Sequence, residues 1–227
     1  MTWQQQLETN GFAVIEDVIG HDLADVLCAA LDNAGHGKRN LLEHPDVLAL
    51  VAHPGITSIV HEALGPDTFA VRAILFDKIE GKNWHVGWHQ DQAIAIKERA
   101  EANGFGPTSV KDGVPHTRAT AEVLEQMLAV RLHLDDCGED NGPLRCVPTS
   151  HTLGRLNPDQ SLEHKQRLGE ATCNVSRGGV LLMRPLCLHA SSPAKSPKHR
   201  RVIHIEFAGC ELPKPLEWYE RHPIGPA

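Results

Sequence analysis

What this sequence lacks narrows its class first. No stretch approaches the about 18 consecutive apolar residues of a membrane-spanning helix. The opening Met1-Thr-Trp-Gln-Gln-Gln6 has no basic segment followed by an apolar core, the pattern that directs secretion. The six cysteines (Cys28, Cys137, Cys146, Cys173, Cys187, Cys210) are scattered, with no C-x-x-C pair and no framework spacing. That usage points to a reducing compartment, so a soluble, cytoplasmic protein is expected. Long basic tracts are missing too: the formal charge is −7, and the densest cationic stretch, Lys195 to Arg201, is local. Affinity for nucleic acid comes mainly from cationic side chains displacing counterions, so neither nucleic acid nor membrane is an expected partner.

What is present is the composition of a soluble globular chain: 227 residues, 41% hydrophobic and 22% charged, without repeats or low-complexity tracts. This suits one domain over residues 1–227 with a normal buried core. Gly11-Phe-Ala-Val-Ile15 reads as a short strand, and His21 to Asn33 as a helix through Leu23, Val26, Leu27, Ala30 and Leu31. Two more helical stretches, broken around Pro54-Gly55, follow between Asn40 and Leu64. Then the character changes. Phe69 to Ile79, Trp84 to Ile96, Leu128 to Leu134, Leu144 to Val147, Cys173 to Leu188 and Arg201 to Phe207 are β-branched and apolar, bounded by turn residues. Between them, 97–126 is too long for a hairpin loop and reads as a lid insertion over a site. Short strands preceded by helices predict a mainly β protein, an antiparallel sandwich or barrel such as a jelly roll, with N-terminal helices packed on one outer face.

The run Trp84-His-Val-Gly-Trp-His89-Gln90-Asp91 carries the chemistry. Side chains alternate along a strand, so His89 and Asp91 share a face and can reach one cation, while Gln90 faces away. Two histidines and one carboxylate on one side of a divalent metal leave the other positions open. His189, at the end of the apolar run Gly179-Val-Leu-Leu-Met183 and beyond, is the candidate third ligand. Shortly after it come Arg200 and Arg201, opening a strand. A guanidinium there would pair with the far carboxylate of a dicarboxylate cosubstrate. Neighbours on a strand face opposite ways, so one of the two is a surface residue; Arg200 is preferred and Arg201 is its rival.

With those residues in view, the chain resembles the phytanoyl-CoA dioxygenase family of oxygenases. The landmarks are Trp88-His-Gln-Asp91, Asn141-Gly-Pro-Leu-Arg-Cys-Val-Pro-Thr-Ser-His151, His189-Ala-Ser191 and Arg200, in that order, with Asn10-Gly-Phe-Ala-Val-Ile15 near the start. The second is close to the family's N-G-x-L-x-x-x-P-G-S-H signature, with Thr149 in place of the glycine. The resemblance implies a double-stranded β-helix (cupin-like) core, Fe(II) held by His89, Asp91 and His189, and 2-oxoglutarate anchored by Arg200. It also brings Ser191 near the cosubstrate. Arg131 and His133, on one face of the strand from Val130 to Leu134, are further inward candidates, Arg131 for the cosubstrate. His204 is an interior histidine of either structural or catalytic use, Gln90 has a family counterpart near the cosubstrate, and His151 reads as part of a turn. The implied activity uses O₂ and 2-oxoglutarate to hydroxylate a C–H bond of a small molecule, releasing succinate and CO₂; related halogenases lack the carboxylate that Asp91 supplies. Two other readings stand beside it: a jelly-roll protein using Zn or Ni as hydrolase, isomerase or sensor, which needs no arginine at this place, and a non-catalytic interaction module, which needs no triad.

Overall fold

The computed structural model describes residues 1–32, 35, 37–195 and 199–225. Its helices are α1 (Trp3–Asn10), α2 (His21–Leu31), α3 (Pro45–Val51), α4 (Pro54–Leu64), α5 (Ala121–Glu125) and α6 (Pro158–Leu168). The strands are β1 (Phe12–Ile15), β2 (Phe69–Lys78), β3 (Val86–His89), β4 (Ala93–Ala95), β5 (Ser109–Lys111), β6 (Val114–Arg118) and β7 (Met127–His133), then β8 (Leu144–Cys146), β9 (Ala171–Cys173), β10 (Val180–Met183), β11 (His189–Ser191), β12 (Arg200–Ala208) and β13 (His222–Pro223).

Local chemistry explains the helix boundaries. Proline at the first turn has no N–H to lose, and Pro45 and Pro54 open α3 and α4 in that position. Pro54 therefore starts the second expected helix. The helix expected from His21 ends at Leu31, and Asn33 lies outside the described residues. Outside the 97–126 segment two helices escaped the pattern reading, α1 and α6, because both are largely polar. Each is set by a capping box, Thr2 with Gln5 and Asn157 with Gln160.

Two antiparallel sheets face each other in a jelly roll. The larger has the order β1-β10-β7-β12-β2-β13, the smaller β3-β11-β8-β9. Alternation along the large sheet sends Ala73, Leu75, Val130, Leu132, Leu182, Ile203 and Ile205 outward, where they pack in one core with Leu27 and Leu31 of α2, Val47 and Leu50 of α3, and Ile56 and Val60 of α4. The N-terminal helices thus cover one outer face, as expected. No single described helix is long and apolar enough to cross a membrane; the bent pair α3–α4 has the composition, and it belongs to this core.

Three expected spans divide differently. Trp84 to Ile96 is two strands in separate sheets, because Asp91 N–H bonds Pro185 O and leaves the ladder. Cys173 to Leu188 is broken by Gly178, whose φ is +84° and where a Cβ would run into Ile19 O, so β9 and β10 join different sheets. The 97–126 segment contains the β5–β6 hairpin and α5, and the hairpin adds to β4 as a third sheet.

Candidate metal centre

His89 ends β3 and pairs in register with His189, which begins β11; Asp91 lies two residues past His89. His89 Nε2 is 3.6 Å from Asp91 Oδ1 and His189 Nε2 is 3.6 Å from Asp91 Oδ2. One ligand atom from each of the three lies within 4.8 Å of the others, close enough for one cation to touch all three. Backbone oxygens aim both rings: His89 Nδ1 is 2.8 Å from Gly87 O and His189 Nδ1 2.9 Å from Cys187 O. Carbonyls only accept, so each Nδ1 carries the proton and each Nε2 presents a lone pair, the orientation in which outer partners hold metal-binding histidines.

The electrostatics suit a cation. Burial lowers the His189 pKa to about 4, which keeps that ring neutral. Burial pushes the Asp91 carboxyl up, yet His189, His89 and His204 hold it well below the usual carboxylate range. His89 moves the other way: burial opposes its charge, but Asp91 raises it above the ordinary histidine value.

The triad opens on a cavity between the two sheets, also lined by Arg72, Ile74, Phe76, Trp84, Arg131, Ser191, Arg200 and His204. A larger cleft of about 420 Å³ beside Trp3, Glu8 and Arg184 has no such ligand cluster among the described residues. Chemistry, not size, picks the site.

Arg200 is buried on the inner face of β12, donates to Gly142 O and lines the cavity. Arg201 points the other way and forms a bidentate pair with Asp135, at 2.7 and 2.9 Å. The geometry therefore separates the two arginines that the sequence left in competition. Ser191 lines the cavity, as do Arg131 and His204. His133 is buried inward beside Arg131 and Arg200. Gln90 faces away: its amide donates to Gly154 O and Leu186 O and accepts from Leu156 N–H, so it ties the segment before α6 and the β10–β11 connection together behind the ligands. His151 bonds Glu8 O, a structural contact to α1.

Sequence reading missed Lys78, Arg72 and Glu206. Lys78 stands opposite Arg200 in register, is fully buried, and donates to Ser191 Oγ at 3.2 Å and Ser192 O at 2.9 Å. Burial, then Arg200, lowers its pKa to about 7. Arg72 and Glu206 pair across β2 and β12. The available signal was that Arg72 and Lys78 in one strand, and Arg200, His204 and Glu206 in another, are spaced by even numbers of positions in otherwise largely apolar runs, which places them on one face.

The sequence matches the phytanoyl-CoA dioxygenase (PhyH) family over residues 29–202. The chain belongs to that family. No curated protein sequence matches it. Among solved structures, EctD from S. alaskensis in its apo form aligns with a TM-score of 0.71 at 17% identity, covering 99% of this chain and 84% of that one. HygX from Streptomyces hygroscopicus, with iron bound, aligns at 0.67 and 15%, covering 92% and 87%. SnoK, a non-heme alpha-ketoglutarate-dependent carbocyclase from nogalamycin biosynthesis, aligns at 0.69 and 16%, covering 91% and 82%. At such identities these likenesses show the jelly-roll fold. The PhyH family uses iron, 2-oxoglutarate and O₂, and the residues present here fit that set. The triad offers two ring nitrogens and a carboxylate. Arg200 lines the cavity and its Nε is buried without a hydrogen-bond partner, and an oxygen-rich anion would satisfy that donor.

Proposed function

We propose that this PhyH-family protein is an Fe(II)- and 2-oxoglutarate-dependent dioxygenase that hydroxylates a C–H bond of a small molecule. One observation carries the reading. The His89–Asp91–His189 cluster shares a single cavity with Arg200 and Ser191, and Lys78 is hydrogen-bonded to Ser191.

Bound together, Fe(II), 2-oxoglutarate and O₂ supply oxidising power that the protein lacks, converting 2-oxoglutarate to succinate and CO₂ while one oxygen atom enters the substrate. The chain's own residues bind and orient. His89 and His189 present Nε2, and Asp91 stays ionised to hold the metal's charge. Arg200 offers its fork to the distal carboxylate, with the Ser191 hydroxyl and Lys78 beside it. Ile74, Phe76, Trp84, Val86 and Leu144 line the same cavity and exclude water from the reacting region. Lys111, on the β5–β6 hairpin, lies within electrostatic reach of Arg72, Asp91 and Glu206, which supports the 97–126 segment as the flank where substrate arrives. The retained Asp91 carboxylate fills a metal position that halogenation would need free, which favours hydroxylation.

A Zn or Ni hydrolase would leave Arg200 as a buried cation with no anion to meet it in the cavity, a costly arrangement. The test is succinate release from 2-oxoglutarate under air with Fe(II). The wild type is expected to turn over and Asp91→Ala to lose it. Full turnover by Asp91→Ala would remove Asp91 from the centre.

A further inference from the structure

Three cations on the inner face of the large sheet, Lys78, Arg131 and Arg200, form no ion pair with any described carboxylate, and all three are buried. A dicarboxylate cosubstrate has two anionic ends, so the cations can be divided between them. We infer that Arg131 is the counter-ion of the carboxylate of 2-oxoglutarate that chelates the metal, leaving the distal carboxylate to Arg200, Lys78 and Ser191. The inference rests on the oxygenase reading above.

Position separates the three. Arg131 acts electrostatically on Asp91, His89 and His189, and also on Arg200 and Lys78. Arg200 has Cys137, Asp77 and Arg131 as its neighbours, and Lys78 has Arg200, Cys137 and Arg131; no metal ligand is among them. Arg131 stands opposite His204 in register and Arg200 lies four positions before His204 on the same strand, so the two guanidiniums line separate stretches of one cavity wall, and the one that reaches the triad's charges is the one placed for the chelating end of a five-carbon diacid.

Its tether leaves the charge available. A guanidinium can only donate, so the 2.9 Å contact from Arg131 to His204 Nδ1 makes that nitrogen the acceptor. The His204 proton then sits on Nε2 and is donated to Glu206 Oε1 at 3.1 Å, while Glu206 also accepts from Arg72. This chain runs in one direction and ties Arg131 to Glu206 only through the His204 ring. The Phe76 ring lies 5.4 Å from its guanidinium carbon, a cation–π support from below. Arg131 is thus oriented but not neutralised, with its remaining N–H groups along the cavity wall.

The two ends are told apart by removing one of them from the ligand. Binding to the Fe(II)-loaded protein is measured anaerobically by calorimetry for 2-oxoglutarate and for 2-oxopentanoate, which has a methyl group in place of the distal carboxylate. Arg131→Met is expected to weaken both ligands by a similar factor, about tenfold or more. Arg200→Met is expected to weaken 2-oxoglutarate alone. If Arg131→Met leaves 2-oxopentanoate binding unchanged, Arg131 serves the distal carboxylate or the primary substrate and the inference falls. Should Arg131→Met not fold, Arg131→Lys replaces it: a graded loss for both ligands supports the assignment, and a loss confined to 2-oxoglutarate overturns it. A wild-type protein that binds Fe(II) but neither ligand would overturn the oxygenase reading and this inference together.

Discussion

The two faces of the large sheet are made by the same strands and do opposite work. Outward, Leu75, Val130, Leu132, Ile203 and Ile205 pack under α2, α3 and α4. Inward, at the alternate positions of the same strands, Lys78, Arg131, His133, Arg200, His204 and Glu206 are almost as deeply buried. Burial alone therefore does not distinguish core from site. The outer face gains stability from apolar area, whereas the inner face spends it, since desolvating unpaired cations opposes folding until a ligand supplies charge. Because the period is two, a one-residue slip would exchange the faces, and the apolar face is what holds the register.

That contrast can be broken at either face. The largest effect belongs to the inner side: Asp91→Ala should weaken Fe(II) binding by more than about a hundredfold, read by metal titration, with thermal stability of the apo-protein little changed. Leu132→Ala on the outer face should do the reverse. A fully buried leucine removed from close packing costs about 2–5 kcal/mol in denaturant unfolding, while the folded fraction keeps its metal affinity. If both substitutions lowered both quantities alike, the division of labour would be wrong.

A smaller effect sharpens the inner face. Lys78 has a pKa of about 7 where it is buried, against an ordinary lysine near 10.4 in the unfolded chain. The folded state therefore binds fewer protons than the unfolded state between those values, and this group makes stability rise with pH across the window. Anion binding has the opposite sign, because it needs the charged form. Affinity for 2-oxoglutarate should fall by about tenfold from pH 6 to pH 9. Lys78→Met should be weaker at pH 6 and flat across that range; an unchanged slope would exclude Lys78 from the anion site.

The smallest prediction concerns the one departure from the family signature. Thr149 has φ +64°, a left-handed conformation that a β-branched residue adopts only under strain. It follows β8 at the turn leading to His151, and its N–H bonds Asn10 O. Thr149→Gly should raise stability by about 1 kcal/mol in denaturant melts without altering metal binding.

The legible part of this molecule was what periodicity and spacing encode. Alternation put His89 and Asp91 together although the strand ends between them, because Gln90 still turns outward to its carbonyl partners. The apolar strands, the helices before them and the family landmarks likewise stood in the sequence. Polar helices with little apolar stripe, α1 and α6, did not, since their capping boxes lie outside a hydrophobic pattern. Lys78 stayed hidden because nothing in its own strand, Phe69 to Ile79, sets it apart, and only its cross-strand pairing with Arg200 shows where it is. The choice between Arg200 and Arg201 likewise needed Asp135, which is remote in sequence.

The central claim is that one cavity holds Fe(II) and 2-oxoglutarate together, and anaerobic titration of the purified protein with both tests it most directly. The account predicts a weak visible metal-to-ligand charge-transfer band that saturates with 2-oxoglutarate and is lost in His89→Ala. Binding of Fe(II) with no band at any 2-oxoglutarate concentration would contradict it and move a different metal chemistry ahead.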